Sequence, residues 1–201
     1  MSPRARTTRT ATRARIAPRV LVLRITLAYI QSPIWRIIQI PETYSLVQLH
    51  RALQIAFAWQ ERHLHAFDIA GTRYSAPHPE MSDYESTDIA LSTLKLVTGS
   101  SFTYTYDFGD DWRHLIEVVH AQPAVDASEI IVGLLDGARA APPEDCGGPP
   151  GYERLLEALR DPKHPEHREL SEWLGLPFDS EAFDLFPLAN ALVLAELWGA
   201  I

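Results

Sequence analysis

The chain has 201 residues, 46% hydrophobic and 22% charged, with 15 prolines and one cysteine. That is long for one domain and short for two, and apolar enough to bury a sizeable core. A lone Cys146 excludes an internal disulfide, and no apolar run reaches the ~20 residues needed to span a bilayer.

The net charge of −8 is unevenly spread. Six of the 18 Lys and Arg residues are Arg4, Arg6, Arg9, Arg13, Arg15 and Arg19, in a stretch with no acid. This leaves 12 basic against 26 acidic residues elsewhere, a formal −14. An acidic body of that size repels a phosphate backbone. A protein partner is therefore expected, with nucleic acid reached only through the Arg-rich tail and no membrane contact. No secretory signal pattern opens the chain, so a cytoplasmic location is expected.

Residues 1–18 are Arg, Thr and Ala without hydrophobic period and read as a disordered basic tail. A plain solvated extension, a phosphate-neutralising arm and an organelle transit peptide all fit that composition. Residues 19–201 read as one α+β domain. Val20 to Ile30 and Ile34 to Ile40 are β-rich runs separated by Gln31-Ser32-Pro33, the simplest reading being a hairpin. Ser45-Leu46-Val47-Gln48 fits a capping box, and Leu46, Leu49, Leu53, Ala56 and Phe57 recur at helical spacing. The opening is thus β-β-α, a pattern analogous to the start of a β-grasp fold.

His63 to Ile69 alternates as a strand and would place His63, His65 and Phe67 on one face, turning at Gly71 into Thr72 to Ser75. Ala76 to Ser92 is polar and acidic and reads as a loop, and Leu91 to Val97 fits either a short helix or a strand. Phe102 to Phe108 and Trp112 to Val119 form a hairpin whose tip gathers Asp107, Asp110, Asp111 and His114. Asp136-Gly137 reads as a turn after an apolar stretch, Ala127 to Leu135. Pro142 to Gly151 is a shaped Pro/Gly loop. Helices are expected from Tyr152 to the Asp161-Pro162 stop, from Pro165 to Gly175, and from Ser180 onward. Pro187 would kink the last or begin another, Leu188 to Trp198. The architecture is a mainly antiparallel sheet packed by helices, with a helical C-terminal segment.

From Val20 to about Asn190 the chain resembles the Ri-plasmid ORF-3-like family, proteins associated with plasmids and insertion elements. The residues carrying the resemblance are Pro33-Ile34-Trp35-Arg36, Leu49-His50, Phe57-Ala58-Trp59 and His63-Leu64-His65-Ala66-Phe67. They continue through Tyr104-Thr105-Tyr106-Asp107-Phe108-Gly109-Asp110, Trp112, His114, Pro142 to Gly148, Gly151-Tyr152-Glu153 and Phe178-Asp179. The resemblance implies an α+β fold and no settled activity. Where many members carry further cysteines this chain has Leu134 and Ala141, which leaves Cys146 alone.

The chemistry these residues offer divides in two. Asp107, Asp110 and His114, with His63 or His65 and with Glu144 or Asp145, supply the oxygen and nitrogen ligands of a divalent metal ion. Equally, acids beside a glycine turn accept backbone amides, and Arg36 or Arg113 pairs with them. Asp107-Phe108-Gly109 is not a kinase element, for no phosphate loop accompanies it. Cys146 beside Asp145 is disfavoured as a nucleophile, because a neighbouring acid raises its pKa. The aromatic residues of the strands read as core. The candidate cluster is Asp107, Asp110, Asp111, Trp112, His114, Glu144, Asp145 and Cys146, with His63, His65, Asp107, Asp110 and His114 as candidate metal ligands. The leading expectation is a mobile-element-associated accessory domain that binds a protein. The alternative is a metal-dependent hydrolase built on the hairpin tip.

Overall fold

A computed structural model describes residues 18–124 and 131–201. The basic tail up to residue 17, and the first part of the stretch expected at Ala127 to Leu135, lie outside the described residues. The chain opens with β1 (Arg19–Leu27) and β2 (Trp35–Pro41), an antiparallel pair running from Val20↔Pro41 to Thr26↔Trp35. Helix α1 (Leu46–Ala56) follows, begun by the expected capping box: Ser45 Oγ accepts from the Gln48 N–H, and Gln48 Oε1 accepts from the Ser45 N–H. Next come β3 (His65–Ile69), β4 (Thr72–Ser75), β5 (Glu85–Ser86), β6 (Ser101–Tyr106), β7 (Trp112–Pro123) and β8 (Gly133–Ala138). Three helices close the chain: α2 (Gly148–Arg160), α3 (His167–Leu174) and α4 (Leu185–Leu197).

All eight strands form one sheet in the order β5-β4-β3-β6-β7-β1-β2-β8. Among the described residues only the short β4–β5 pairing is parallel, so the α+β class and the mainly antiparallel sheet hold. The β-β-α opening is present, but the β-grasp analogy is not confirmed. Strand β1 sits inside a wide sheet between two antiparallel neighbours, β7 and β2.

The core follows from period-two alternation. Leu21, Leu23, Ile25 and Leu27 of β1 turn inward with Tyr104 and Tyr106 of β6 and Trp112, His114, Ile116 and Val118 of β7. Leu46, Leu49, Leu53 and Ala56 of α1 meet that face. Helix α4 packs on β8 and α1, and α3 on α2. Among the described residues, no helix is long and apolar enough to cross a membrane.

Several boundaries differ from the sequence reading for physical reasons. Asp136-Gly137 is not a turn but part of β8, opposite Ile37 and Arg36 and beside an irregularity in the β2–β8 register. A Cβ on Gly137 would lie 2.5 Å from the Phe183 ring, so packing requires the glycine. Helix α2 starts at Gly148, not Tyr152, because two prolines sit readily in a first turn whose N–H groups have no helical acceptor. Asp184, not Ser180, caps the last helix, and Pro187 lies in its first turn rather than dividing it. Leu91–Leu94 resolves as a 3-10 turn, and Gly175 ends α3 at φ +70° as expected.

Candidate functional site

The tip of the β6–β7 hairpin is built around Asp107. Its backbone and that of Asp111 adopt φ +55°, a left-handed conformation that Asp tolerates better than most residues. Asp107 Oδ1 accepts from the N–H groups of Gly109 at 2.9 Å and Asp110 at 3.3 Å, holding the turn. The Asp107 N–H donates to the Leu64 carbonyl at 2.9 Å, which fastens the tip to the segment entering β3. Asp107 Oδ2 is left facing His63, 3.6 Å from Nδ1.

The Pro142 to Gly151 loop lies over this tip. Gly147 N–H donates to Asp110 Oδ2 at 3.1 Å. Glu144 is held by both carboxylate oxygens: Oε1 accepts from the Tyr106 hydroxyl at 2.6 Å and Oε2 from the Gln60 N–H at 3.2 Å. Trp59 Nε1–H donates to the Pro142 carbonyl at 2.9 Å. These bonds bring Asp145 Oδ1 to 3.1 Å from His63 Nε2. That nitrogen is buried and lacks the alignment of a hydrogen bond to any group, including Asp145. The separation is short, but the two atoms are not aligned donor to acceptor.

One ligand atom each from His63, Asp107 and Asp145 thus lies within 4.8 Å of the other two. Tetrahedral zinc with ~2.0 Å bonds needs its ligand atoms about 3.3 Å apart. His63 turns Nδ1 to Asp107 and Nε2 to Asp145. One of these nitrogens would be the ligand, and the carboxylate on the other side, the exposed Asp145 if it is Nδ1, would have to turn toward it. Two carboxylates and one imidazole balance a divalent charge and leave coordination positions open.

The other expected ligands lie elsewhere. Asp110 is engaged by Gly147, and Asp111 pairs with Arg113 at 2.9 Å, as expected for that arginine. Trp112 and His114 are not at the tip surface; both point into the core. His114 packs edge-on against Phe57 and Trp59, with Nδ1 near the Trp112 and Tyr104 carbonyls. Burial lowers its pKa to about 3, opposed by those two carbonyls. His65 does not share the site of His63. His63 precedes β3 and turns to the tip, whereas His65 stacks on His50 with ring centroids 3.5 Å apart. Burial brings His65 down to about 4. Cys146 is pushed up to about 12, by burial first and then by Asp110 and Asp145, so it is no nucleophile.

Arg36 does not pair with the acids. Its guanidinium donates to four backbone carbonyls, those of Trp35, Ala56, Ala138 and Arg139, at 2.8–2.9 Å. It lines a cleft of about 550 Å³ that also has Trp59, Glu144 and Asp145 on its wall and the α3–α4 segment on its far side. The role of Tyr106 as the clamp on Glu144 was not read from the sequence. A strand tyrosine two residues from an apolar neighbour carries no mark that its hydroxyl reaches a distant loop.

The model of the plasmid pRiA4b ORF-3-like proteins matches residues 19–186, and the chain belongs to that family. It is 38% identical over 184 residues to the uncharacterized protein y4hQ of Sinorhizobium fredii (strain NBRC 101917 / NGR234), covering 89% of this chain and 94% of that protein. Its fold is similar to the crystal structure of protein of unknown function MM3350 from Methanosarcina mazei Go1. The TM-score is 0.77 at 33% identity, over 85% of this chain and 98% of the other.

Proposed function

We propose that the protein is a metal-dependent hydrolase that binds a divalent cation between His63, Asp107 and Asp145 and acts on a substrate seated in the adjoining cleft. The observation that carries this reading is the convergence of three ligand atoms from three separate segments, within 4.8 Å of one another. The turn is held by Asp107 Oδ1 and by the Asp111 N–H donating to the Asp107 carbonyl, which leaves Oδ2 to face His63, while His63 Nε2 lies near Asp145 without the alignment of a hydrogen bond. A mixed nitrogen and oxygen set suits zinc or manganese, and three protein ligands with open positions are the arrangement of a catalytic site. The cation would supply water activation and polarisation of a bound oxygen. The chain's own contribution is placement: Tyr106 and Gln60 fix the Glu144-Asp145 loop, and the hairpin turn fixes Asp107. The test is hydrolysis of a panel of chromogenic esters, amides and phosphate esters with zinc, manganese or a chelator. Cation-dependent turnover abolished in Asp107→Asn is the expected result, and turnover indifferent to chelator and substitution would contradict the reading.

A second reading, a protein-binding accessory domain of a mobile element, has its own support. Phe186 is 76% exposed, Leu197 72% and Trp198 78%, all on or beside α4, and such exposed apolar groups suit a partner surface. Co-purification with the parent chain and with a folded chain carrying Phe186→Asp and Trp198→Asp, both at exposed positions, separates this reading from the first. A partner retained by the parent chain and lost by the doubly substituted one supports it.

A further inference from the structure

Arg36 is 2% exposed, yet among the described residues no carboxylate pairs with it. Buried cations are ordinarily neutralised by a counter-charge, because removing a charge from water is expensive. Here four carbonyls take four of the five guanidinium N–H groups: Nε–H goes to Ala56, Nη1 to Trp35 and Ala138, and Nη2 to Arg139. One Nη2 N–H remains. The guanidinium also lies between two rings, 4.5 Å from the Phe183 centroid and 5.0 Å from that of Phe57. Burial lowers its pKa to about 10, the direction of a cation without a full counter-charge.

The cleft that Arg36 lines is about 550 Å³, the size of a small-molecule site. Its three acids are already engaged: Glu144 by Tyr106 and Gln60, Asp184 by the Phe186 N–H it caps, and Asp145 facing His63. Arg139 is paired with Glu181. Arg36 is therefore a buried cation of the cleft wall with a donor in reserve, and Arg62, which lines the same cleft, adds a second positive charge. Aromatic side chains also line the cleft, those of Phe57, Trp59, Phe178 and Phe183.

We propose that this cleft binds a small organic carboxylate with a flat, apolar body. The carboxylate meets the remaining Nη2 N–H of Arg36, and the body lies against the Trp59 and Phe178 side of the wall. This names a substrate class for the hydrolytic reading, and as a binding event it does not need the cation.

The test is calorimetric titration of the full chain with benzoate, benzamide and phenyl phosphate, in EDTA so that no cation contributes. Benzoate is expected to bind at least about tenfold more tightly than its neutral isostere benzamide, the discrimination of a hydrogen bond to a charged group. Because Arg36→Ala strips four carbonyls of their donor and endangers folding, the second variant is Ala182→Trp. This exposed residue lines the cleft, and the indole is expected to plug it and weaken benzoate at least about tenfold. Equal binding of benzoate and benzamide, absence of benzoate binding, or binding unaffected by Ala182→Trp overturns the proposal. Preference for phenyl phosphate over benzoate also overturns it, in favour of a phosphate site. Zinc titration of the same chain without EDTA reads the metal site separately, so failure of one proposal is not failure of the other.

Discussion

Gly148 lies so close to Asp110 that a Cβ on it would stand 2.2 Å from the Asp110 carbonyl oxygen. Its φ of +67° is also one that side chains rarely adopt. The start of α2 thereby rests directly on the hairpin tip, and this contact holds the Glu144-Asp145 loop over His63. Gly148→Ala must push the loop away. A loss of about 2–3 kcal/mol is expected from overpacking and backbone strain, read by urea denaturation. Divalent cation affinity should fall in the same variant, because Asp145 moves with the loop.

The Tyr106 hydroxyl accepts from the Arg62 N–H at 3.0 Å and donates to Glu144 Oε1 at 2.6 Å. Tyr106→Phe keeps the ring, which stacks on Trp59, and removes both bonds. The expected cost is about 1–2 kcal/mol, with faster amide exchange across Pro142 to Gly147 while the β6–β7 ladder stays protected.

Glu196 fastens α4 to the sheet: one carboxylate oxygen accepts from the Tyr44 hydroxyl and the other from the Val132 N–H at 2.9 Å. The contact holds the Tyr44 hydroxyl above its ordinary pKa, after burial as the larger cause. Glu196→Ala leaves both donors without a partner and should cost about 2 kcal/mol. Local exchange at Leu185 to Leu197 is expected to rise before global unfolding.

His114 makes stability depend on pH. Its pKa in the folded chain is about 3, against an ordinary 6.5, chiefly through burial. Between those values the unfolded chain binds a proton that the folded chain does not. The contribution is therefore fully present above about pH 6.5 and is lost as pH falls towards 3. The slope is about 1.4 kcal/mol per pH unit for this residue. Denaturant midpoints measured from pH 7 to pH 4 should fall less steeply in His114→Phe than in the parent chain.

The ends of many elements are written locally, and the sequence shows them plainly. Ser45 and Gln48 announce α1, Gly175 ends α3, and alternation marks β1, β6 and β7. What local pattern does not carry is which side of a turn a residue ends on. His114 is two residues from Trp112 and looks like a tip residue, yet the pleat sends both inward. His63 and His65 have strand spacing, but β3 begins only at His65 and frees His63 to turn toward Asp107. Asp136-Gly137 has the composition of a turn, while the need of Phe183 and Arg36 for space makes it strand. Glu144 and Asp145 are adjacent in sequence but face different partners, Tyr106 and His63, which only the docked loop decides.

A cation held between His63, Asp107 and Asp145 is tested most directly by calorimetric titration of the metal-stripped chain with zinc and manganese. Asp107→Asn is the decisive variant: Asn retains an Oδ1 that can accept from Gly109 and Asp110 and so preserves the turn, while replacing the free carboxylate oxygen by an amide nitrogen. One equivalent of cation bound by the parent chain, weakened at least about tenfold in Asp107→Asn with an unchanged denaturation midpoint, is the result expected of a ligand lost without loss of fold. No binding, or equal binding by parent and variant, would contradict the site.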